Sequence, residues 1–314
     1  MRKAMIILAL LLPLVTVAAP KASLRVGTYE LGNSFNRRVQ AEKGKISSQR
    51  MWCHCADAIA EAILDADCDI LGIHDVCDTI AGRREGTKSI IRLLQEKGGD
   101  IDGLILSNVN PNFPLEGPMA NGNGILWRAS RFELRDWGIN WLGGIYDKPG
   151  RDKSLRYGGD KVSMMWVRLF DKAAGKEIVF ASADVNGPTQ YDHGEKVVYH
   201  EINAANCRNI ISLMKSDIVP RGMTSVITLN SRNAPQHDGF KELNSSVWLD
   251  AYSQLRDEGA LDEAAADGKD TPDRIFVSGA SILSYAVLKK KYPTADGTLL
   301  FPAQRFPVIS ELQY

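Results

Sequence analysis

Short apolar runs rich in β-branched residues recur along the chain at 24–29, 69–74, 103–107, 124–128, 132–137, 162–170, 177–183, 225–229, 274–278, 282–288 and 306–312. Runs of this length, bounded by polar and glycine-containing stretches, predict buried strands. Helical spacing appears in fewer places. The segment 47–64 brings Ala56, Ile59, Ala60, Ile63 and Leu64 to one face and opens with serines able to cap it. The segment 87–95 turns Ile90, Ile91 and Leu94 inward, 195–215 reads as a long helix and 239–243 as a short one. Ala129-Ser130 reads as the turn of a hairpin, and 171–175 is a polar, glycine-containing turn between two strands. Strands outnumber helices, hairpins are frequent, and the helices are few and long. This pattern predicts an α/β (α+β) fold in which two packed, mostly antiparallel sheets carry helices on the outside.

The first residues break the pattern. Met1-Arg2-Lys3 is followed by an apolar run from Ala4 to Val17 and then by Ala18-Ala19-Pro20. A basic start, an apolar stretch and small residues predict a signal peptide over 1–19 and a secreted or periplasmic protein. The run falls short of the roughly 20 apolar residues that cross a bilayer, and no second run of that length follows, so no membrane span is expected. No proline-rich linker, low-complexity tract or repeat divides the remainder, which reads as a single domain over 23–314 and as a monomer.

Charge narrows the partners. Lysine plus arginine balances aspartate plus glutamate at 38 each. That leaves no cationic field of the kind nucleic acid requires. The 5 cysteines are Cys53, Cys55, Cys68, Cys77 and Cys207. Cys53-His54-Cys55 invites a zinc reading, but no second ligand pair stands at zinc-site spacing, and positions 53 and 55 of a helix face different ways. Export would permit a disulfide, and the odd count leaves at least one thiol free. His54, His74, His193, His200 and His237 are scattered, and each reads as a surface or hydrogen-bonded polar residue. On a strand, His74 and Asp75 face opposite sides. No nucleophile elbow, phosphate-binding loop or dinucleotide fingerprint is present.

A second pattern lies at the strand ends. The segments LRVGTYELGN (24–33), DCDILGIHDV (67–76), NGNGILWRASRFEL (121–134), IVFASADVNG (178–187), SVITLNSRNAP (225–235), TPDRIFVS (271–278) and FPAQRFPVISEL (301–312) follow one another with characteristic spacing. Their order and hydrophobic flanks resemble the endonuclease/exonuclease/phosphatase superfamily, the fold of secreted deoxyribonucleases and inositol-phosphate phosphatases. The resemblance covers nearly all of 24–314. It implies a four-layer sandwich, two mostly antiparallel sheets flanked by helices as in deoxyribonuclease I, with a divalent-metal site where strand ends converge. Asn121-Gly122-Asn123-Gly124, Trp141-Leu142, Trp166-Val167-Arg168-Leu169, Asp250-Ala251-Tyr252 and Asp273 match its framework positions.

The residues that the resemblance would make catalytic are mostly replaced. Where the family has a metal-site asparagine this chain has Glu30, and where it has a metal-binding glutamate this chain has Asp75, one methylene shorter. The phosphate-binding histidine of Thr-His-Leu-Asp corresponds to Asp184, an anion that repels phosphate. In Gly-Asp-x-Asn the water-orienting aspartate corresponds to Ser231, and only the phosphate-binding asparagine, Asn233, is kept. The terminal Ser-Asp-His corresponds to Ala303-Gln304-Arg305, aligned on Pro307-Val308. Arginine, with a pKa above about 12, does not shuttle protons. A one-residue slip rescues nothing, because no histidine follows His237.

Acid/base and electrostatic steps are each worth about a hundredfold or more, so losing several leaves no useful turnover. The expectation is a pseudoenzyme that binds a small-molecule, phosphoester or protein ligand at the former cleft. Two other functions stay open. One is an active phosphatase or phosphodiesterase whose carboxylates Glu30, Asp75 and Asp184 could hold Mg²⁺ or Ca²⁺, with Arg305 as a phosphate clamp. The other is a purely structural interaction protein. If the strand ends converge as the resemblance implies, the crowded carboxylates require a partner, so Arg305 is expected to bridge at least one of Glu30, Asp75 and Asp184.

Overall fold

The structure, a computed structural model, describes residues 22–32, 48–83, 85–106, 122–142, 163–185, 189–192, 195–198, 200–230, 238–266, 273–303 and 305–314. The chain runs β1 (Ser23–Glu30), α1 (Ser48–Ala66), β2 (Ile70–Val76), α2 (Ile90–Glu96), β3 (Ile101–Leu106), β4 (Gly122–Arg128), β5 (Phe132–Trp141), β6 (Ser163–Asp171), β7 (Lys176–Asp184), β8 (Thr189–Asp192) and β9 (Glu195–Val198). It continues with α3 (His200–Leu213), which ends in a π-helical turn at Met214–Ile218, then β10 (Thr224–Asn230), α4 (Asp238–Asn244), β11 (Leu249–Asp250), α5 (Ala251–Asp257) and α6 (Glu263–Ala266). The last elements are β12 (Asp273–Ser278), β13 (Ser281–Val287), β14 (Tyr292–Pro293), β15 (Leu299–Leu300) and β16 (Val308–Gln313).

Two six-stranded sheets carry the fold, in the orders β13-β16-β1-β2-β4-β3 and β11-β12-β10-β7-β6-β5. The pairings within them are antiparallel except β1 with β2 and β7 with β10. Parallel neighbours need a long crossover, and α1 and α3 lie on the two crossovers. Leu24, Val26, Ile70, Ile125, Phe180, Val226 and Ile275 meet between the sheets. On the outer face of the first sheet lie Trp52, Ile59 and Ile63 of α1 with Leu94 of α2. On the outer face of the second lie Ile210 and Leu213 of α3 with Phe240 of α4. Helix, sheet, sheet and helix thus form the expected four-layer sandwich. Among the described residues no helix is long and apolar enough to cross a membrane.

The structure corrects several local expectations. The turn at 129–130 joins no hairpin, because β4 belongs to the first sheet and β5 to the second. Long-range charge pairs pin this crossing. Arg131 donates through Nη1 to Asp69 at 2.7 Å and through Nη2 to Asp171 at 2.6 Å, and Arg128 Nε donates to Asp69 at 3.0 Å. Burial works against the charge on Asp171, but hydrogen bonds from Arg131 and Tyr314 outweigh it and hold the carboxyl below the usual range. The segment 195–215 is not one helix. Glu195–Val198 pairs with Thr189–Asp192, and the helix begins at His200. Nor are the helices uniformly long, since α2, α4 and α5 have 7 residues each. Two of these short helices hold their first turn with a cap. Ser89 Oγ accepts from Arg92 N at 3.2 Å, and Asp250 Oδ2 accepts from Ser253 N at 3.2 Å.

Cys53 is exposed, Cys55, Cys68, Cys77 and Cys207 are buried, and all carry free thiols. Burial pushes the thiols of Cys55, Cys68 and Cys207 up to about 12. These three are inert packing groups at neutral pH, because only the thiolate attacks or ligates.

Candidate functional site

The space between the sheets changes character along the strands. Residues paired across a ladder point to the same side, so the register identifies which positions face inward. Val26 pairs with Ile70, Thr28 with Gly72 and Glu30 with His74, and His74 pairs in turn with Asn123. In the second sheet Asn230 stands between Asp184 and Asp273. All share the parity of the apolar core, so the interior is apolar along most of its length and turns polar at this end. Thr28, His74, Asn123, Asn230 and Asp273 are fully enclosed, and Glu30 and Asp184 nearly so.

Behind the strand ends lies a hydrogen-bonded floor. His74 Nε2 is 2.8 Å from Thr28 Oγ1, and His74 Nδ1 is 3.3 Å from Asn123 Oδ1. Asn123 Nδ2 donates to the Ser163 carbonyl at 2.9 Å. Since that amide nitrogen is used, Oδ1 accepts, which assigns the His74 proton to Nδ1 and makes the Thr28 hydroxyl donate to Nε2. Burial holds the His74 pKa down to about 4, against the opposing pull of Asn123, so the ring is neutral at pH 7. His74 is the hydrogen-bonded histidine expected from the sequence.

Asp75 follows at a register shift between β2 and β4, with φ 57°. A left-handed residue at a β-bulge re-aims its side chain, and aspartate tolerates that conformation better than most. The Asp75 side chain is buried. Asp75 thus follows the last residue of β2 that pairs with β1, where His74 stands beside Glu30.

Glu30 closes β1 and meets Arg305, which approaches from the segment before β16. Arg305 Nε donates to Glu30 Oε2 at 3.2 Å. The Glu30 side chain is only 6 % exposed and that of Arg305 is 35 % exposed, so the guanidinium reaches inward from the surface. This is the bridge expected from the charge pattern. Neither carboxyl oxygen of Asp273 has a hydrogen-bond partner among the described residues. Its carboxyl titrates well above the usual range, first because it is buried and then because Glu30 and Asp184 face it, with Arg305 and Arg274 opposing. Arg274 is on the other face of β12. Its guanidinium is 4.6 Å from the Tyr252 ring centroid, and its Nη1 is 3.6 Å from Asp250 Oδ2.

Of the residues singled out from sequence, Arg305 pairs with Glu30, Asp184 and Asp273 flank Asn230 at inward parity on the second sheet, and Asp75 is buried at the end of β2. Ser231, Asn233 and Gln304 lie outside the described residues. Strand-end reading missed Thr28 and Ser163 and took Asn123 only as a framework position. Their signal was polarity at inward parity on strands whose other inward residues are apolar. A resident Mg²⁺ or Ca²⁺ does not fit the described donors. The Glu30 carboxylate is already engaged by Arg305, and no group of three or more His, Cys, Asp or Glu among the described residues is placed to hold a metal.

The chain matches no protein-family model and no curated protein sequence. Its similarity to solved structures spans nearly its full length. An endonuclease/exonuclease/phosphatase family protein of Bacteroides thetaiotaomicron superposes with a TM-score of 0.68 at 18% identity, covering 94% of this chain and 96% of the other. The mannosyl-6-phosphatase Bt3783 of the same organism gives 0.67 at 18% identity, covering 93% of this chain and 100% of its own. The human Nocturnin catalytic domain, with a bound sulfate anion, gives 0.63 at 15% identity and 93% of each chain.

Proposed function

We propose that this chain, which has the fold of the endonuclease/exonuclease/phosphatase proteins, is a catalytically degenerate, exported member of that superfamily that uses the former cleft to bind a small-molecule, phosphoester or protein ligand. One observation carries the reading: Arg305 donates to Glu30 at 3.2 Å, so a permanent cation sits where the resemblance places acid/base and metal chemistry. Arginine cannot exchange a proton at neutral pH. The buried Asp184, in place of a histidine that would bind phosphate, adds like charge to the position a phosphate would approach.

The described site residues act on one another rather than on a reactant. Arg305 neutralises Glu30, and His74 stays neutral behind them and holds Thr28 and Asn123 in register.

The test is hydrolysis of a panel of DNA, RNA, inositol phosphates, sugar phosphates and aryl phosphates with Mg²⁺, Mn²⁺ or Ca²⁺, against metal-stripped protein. The expected result is no turnover above background. A second reading, an active metal-dependent phosphoric ester hydrolase with a rearranged site, draws on the retained carboxylate at Asp75 and on the phosphatase among the structural relatives. Metal-dependent turnover that disappears in Asp75→Ala would establish it. Export is read by mass spectrometry of secreted or periplasmic protein, which should begin between Ala19 and Ser23. Exported protein that retains Met1 would contradict it.

A further inference from the structure

We infer that the β14–β15 hairpin and the residues beside it form a docking face for an anionic lipid surface, on which the protein rests without crossing it. The hairpin has two unlike sides. Tyr292 pairs with Leu300, and Pro293 with Leu299. Paired residues point to the same side and successive residues to opposite sides. Tyr292 and Leu300 are buried in the cluster that contains α1, so Pro293 and Leu299 point away from it. Leu299 is 62 % exposed, more than any other large apolar side chain among the described residues.

Basic groups flank that side. Lys289, Lys290 and Lys291 are consecutive and exposed. Lys290 turns toward α1, where it pairs with Asp65. Lys289 and Lys291 turn to Phe306 and Phe301, with their ammonium groups 5.7 Å and 5.6 Å from the two ring centroids. The rings pack edge-on against each other at 4.9 Å between centroids. By alternation along the strands, Lys291, Pro293, Leu299 and Phe301 share one face, and Lys289 and Phe306 extend it. The hairpin is fixed from behind. Tyr292 Oη donates to Asp65 at 3.0 Å, Ala295 N to the His54 carbonyl at 3.1 Å, and Thr294 N to the Thr298 carbonyl at 3.0 Å. Leu299 follows this turn directly, so it stands near the hairpin tip rather than in a groove.

A soluble polyanion would meet the lysines and leave Leu299 in water. A surface that is anionic outside and apolar beneath takes both. Headgroups meet Lys289 and Lys291, while Leu299 and Phe301 enter the boundary between headgroups and acyl chains. Lysine suits that boundary, because its stem can be buried while its ammonium stays at headgroup level. This docking is independent of catalysis in the cleft.

The test is co-sedimentation of the full chain with vesicles of phosphatidylcholine alone, or of phosphatidylcholine and phosphatidylglycerol at two to one, in low and high salt. All variants share one N-terminus, so its apolar run contributes equally to each. Wild type should bind the mixed vesicles several-fold more tightly than the neutral ones, and high salt should abolish the difference. Lys289→Gln/Lys291→Gln should weaken binding to mixed vesicles about twentyfold, from roughly fivefold for each lysine removed. Leu299→Asp should weaken it roughly tenfold. Lys290→Gln should cost less than either, since that side chain faces α1. Val247→Asp, at an apolar side chain 54 % exposed before β11, should change nothing. The substituted side chains are exposed, so each variant should unfold close to the wild-type temperature. Absence of vesicle binding, or equal binding to both vesicle types, overturns the inference. So does binding to mixed vesicles that Leu299→Asp and the double lysine variant leave intact. Binding to heparin that needs the two lysines, with vesicle binding indifferent to Leu299→Asp, would assign the face to a soluble polyanion and overturn it as well.

Discussion

His74 Nε2 lies 2.8 Å from the Thr28 hydroxyl, inside the sandwich and one residue before the left-handed Asp75. Burial of that ring makes the protein acid-sensitive over a defined range. Burial depresses the folded pKa of His74 from 6.5 to about 4, so between those values the unfolded chain binds more protons than the folded one. Stability from this group is therefore complete above pH 6.5 and drains away as pH falls toward 4. The full effect is on the order of 3 kcal/mol. Urea unfolding across this range should show the fall in wild type and a shallower one in His74→Gln. Equal slopes in the two proteins would assign the acid sensitivity to other groups.

The sandwich interior gives a second expectation. Ile73 packs on the outer face of the first sheet beneath α1, and Ile227 on the outer face of the second beneath α3, both fully buried. Ile73→Ala and Ile227→Ala should each cost about 2–5 kcal/mol as core cavities. The sites belong to separate clusters, so the double variant should lose about the sum. Chemical denaturation of all three measures this, and a loss well below about 1 kcal/mol at both sites would mean that the core lies elsewhere.

How much of this was legible in the sequence depended on range. The strands at 24–29, 225–229 and 274–278 are single apolar runs, and each appears within a residue or two of its expected bounds. Arg305 and Glu30 were legible as a pair because crowded carboxylates constrain what else can stand beside them. The crossing at 129–130 was not legible. A tight turn between two strands looks the same whether they pair or part, and here Arg128 and Arg131 decide it through Asp69 and Asp171. The strand at Glu195–Val198 was hidden because Val197-Val198 fits either a strand or the first turn of a helix. Reading each strand end singly also hid the polar floor, since Thr28, His74 and Asn123 acquire meaning only when the register aligns them.

The charge cluster sets a limit on simple reversion. Arg305→His would place an imidazole beside Glu30, but Asp184 and Glu30 would remain buried carboxylates and Ser231 would remain in place of a water-orienting aspartate. The single variant should show no turnover of phosphomonoesters or phosphodiesters with Mg²⁺ or Mn²⁺. Turnover above the wild-type background would mean that Arg305 alone had silenced the site.

A close approach of the two sheets, at Gly72, makes a final, sharper test. Gly72 of β2 faces Thr228 of β10, and a Cβ at position 72 would come within 2.1 Å of Thr228 Oγ1 and 3.1 Å of Thr228 Cβ. Phe180 Cε1 stands 3.4 Å away on the same side, so the intruding methyl has little room to shift. Thr228 Oγ1 is itself held by a bond to the Ala181 carbonyl at 3.1 Å, which resists rotation of that side chain. Gly72→Ala should therefore cost about 1–3 kcal/mol by overpacking. Thr228→Ala removes the hydroxyl that collides and leaves, at that residue, only the 3.1 Å contact with Cβ. In the double variant the Gly72→Ala penalty should shrink by more than half, a coupling of roughly 1 kcal/mol or more in a double-mutant cycle. Because the residues lie on different sheets, that coupling reports the packing distance between them. Additive losses would mean that the sheets separate to admit the methyl, and that the polar floor at His74 is less rigidly held than the Gly72–Thr228 contact implies.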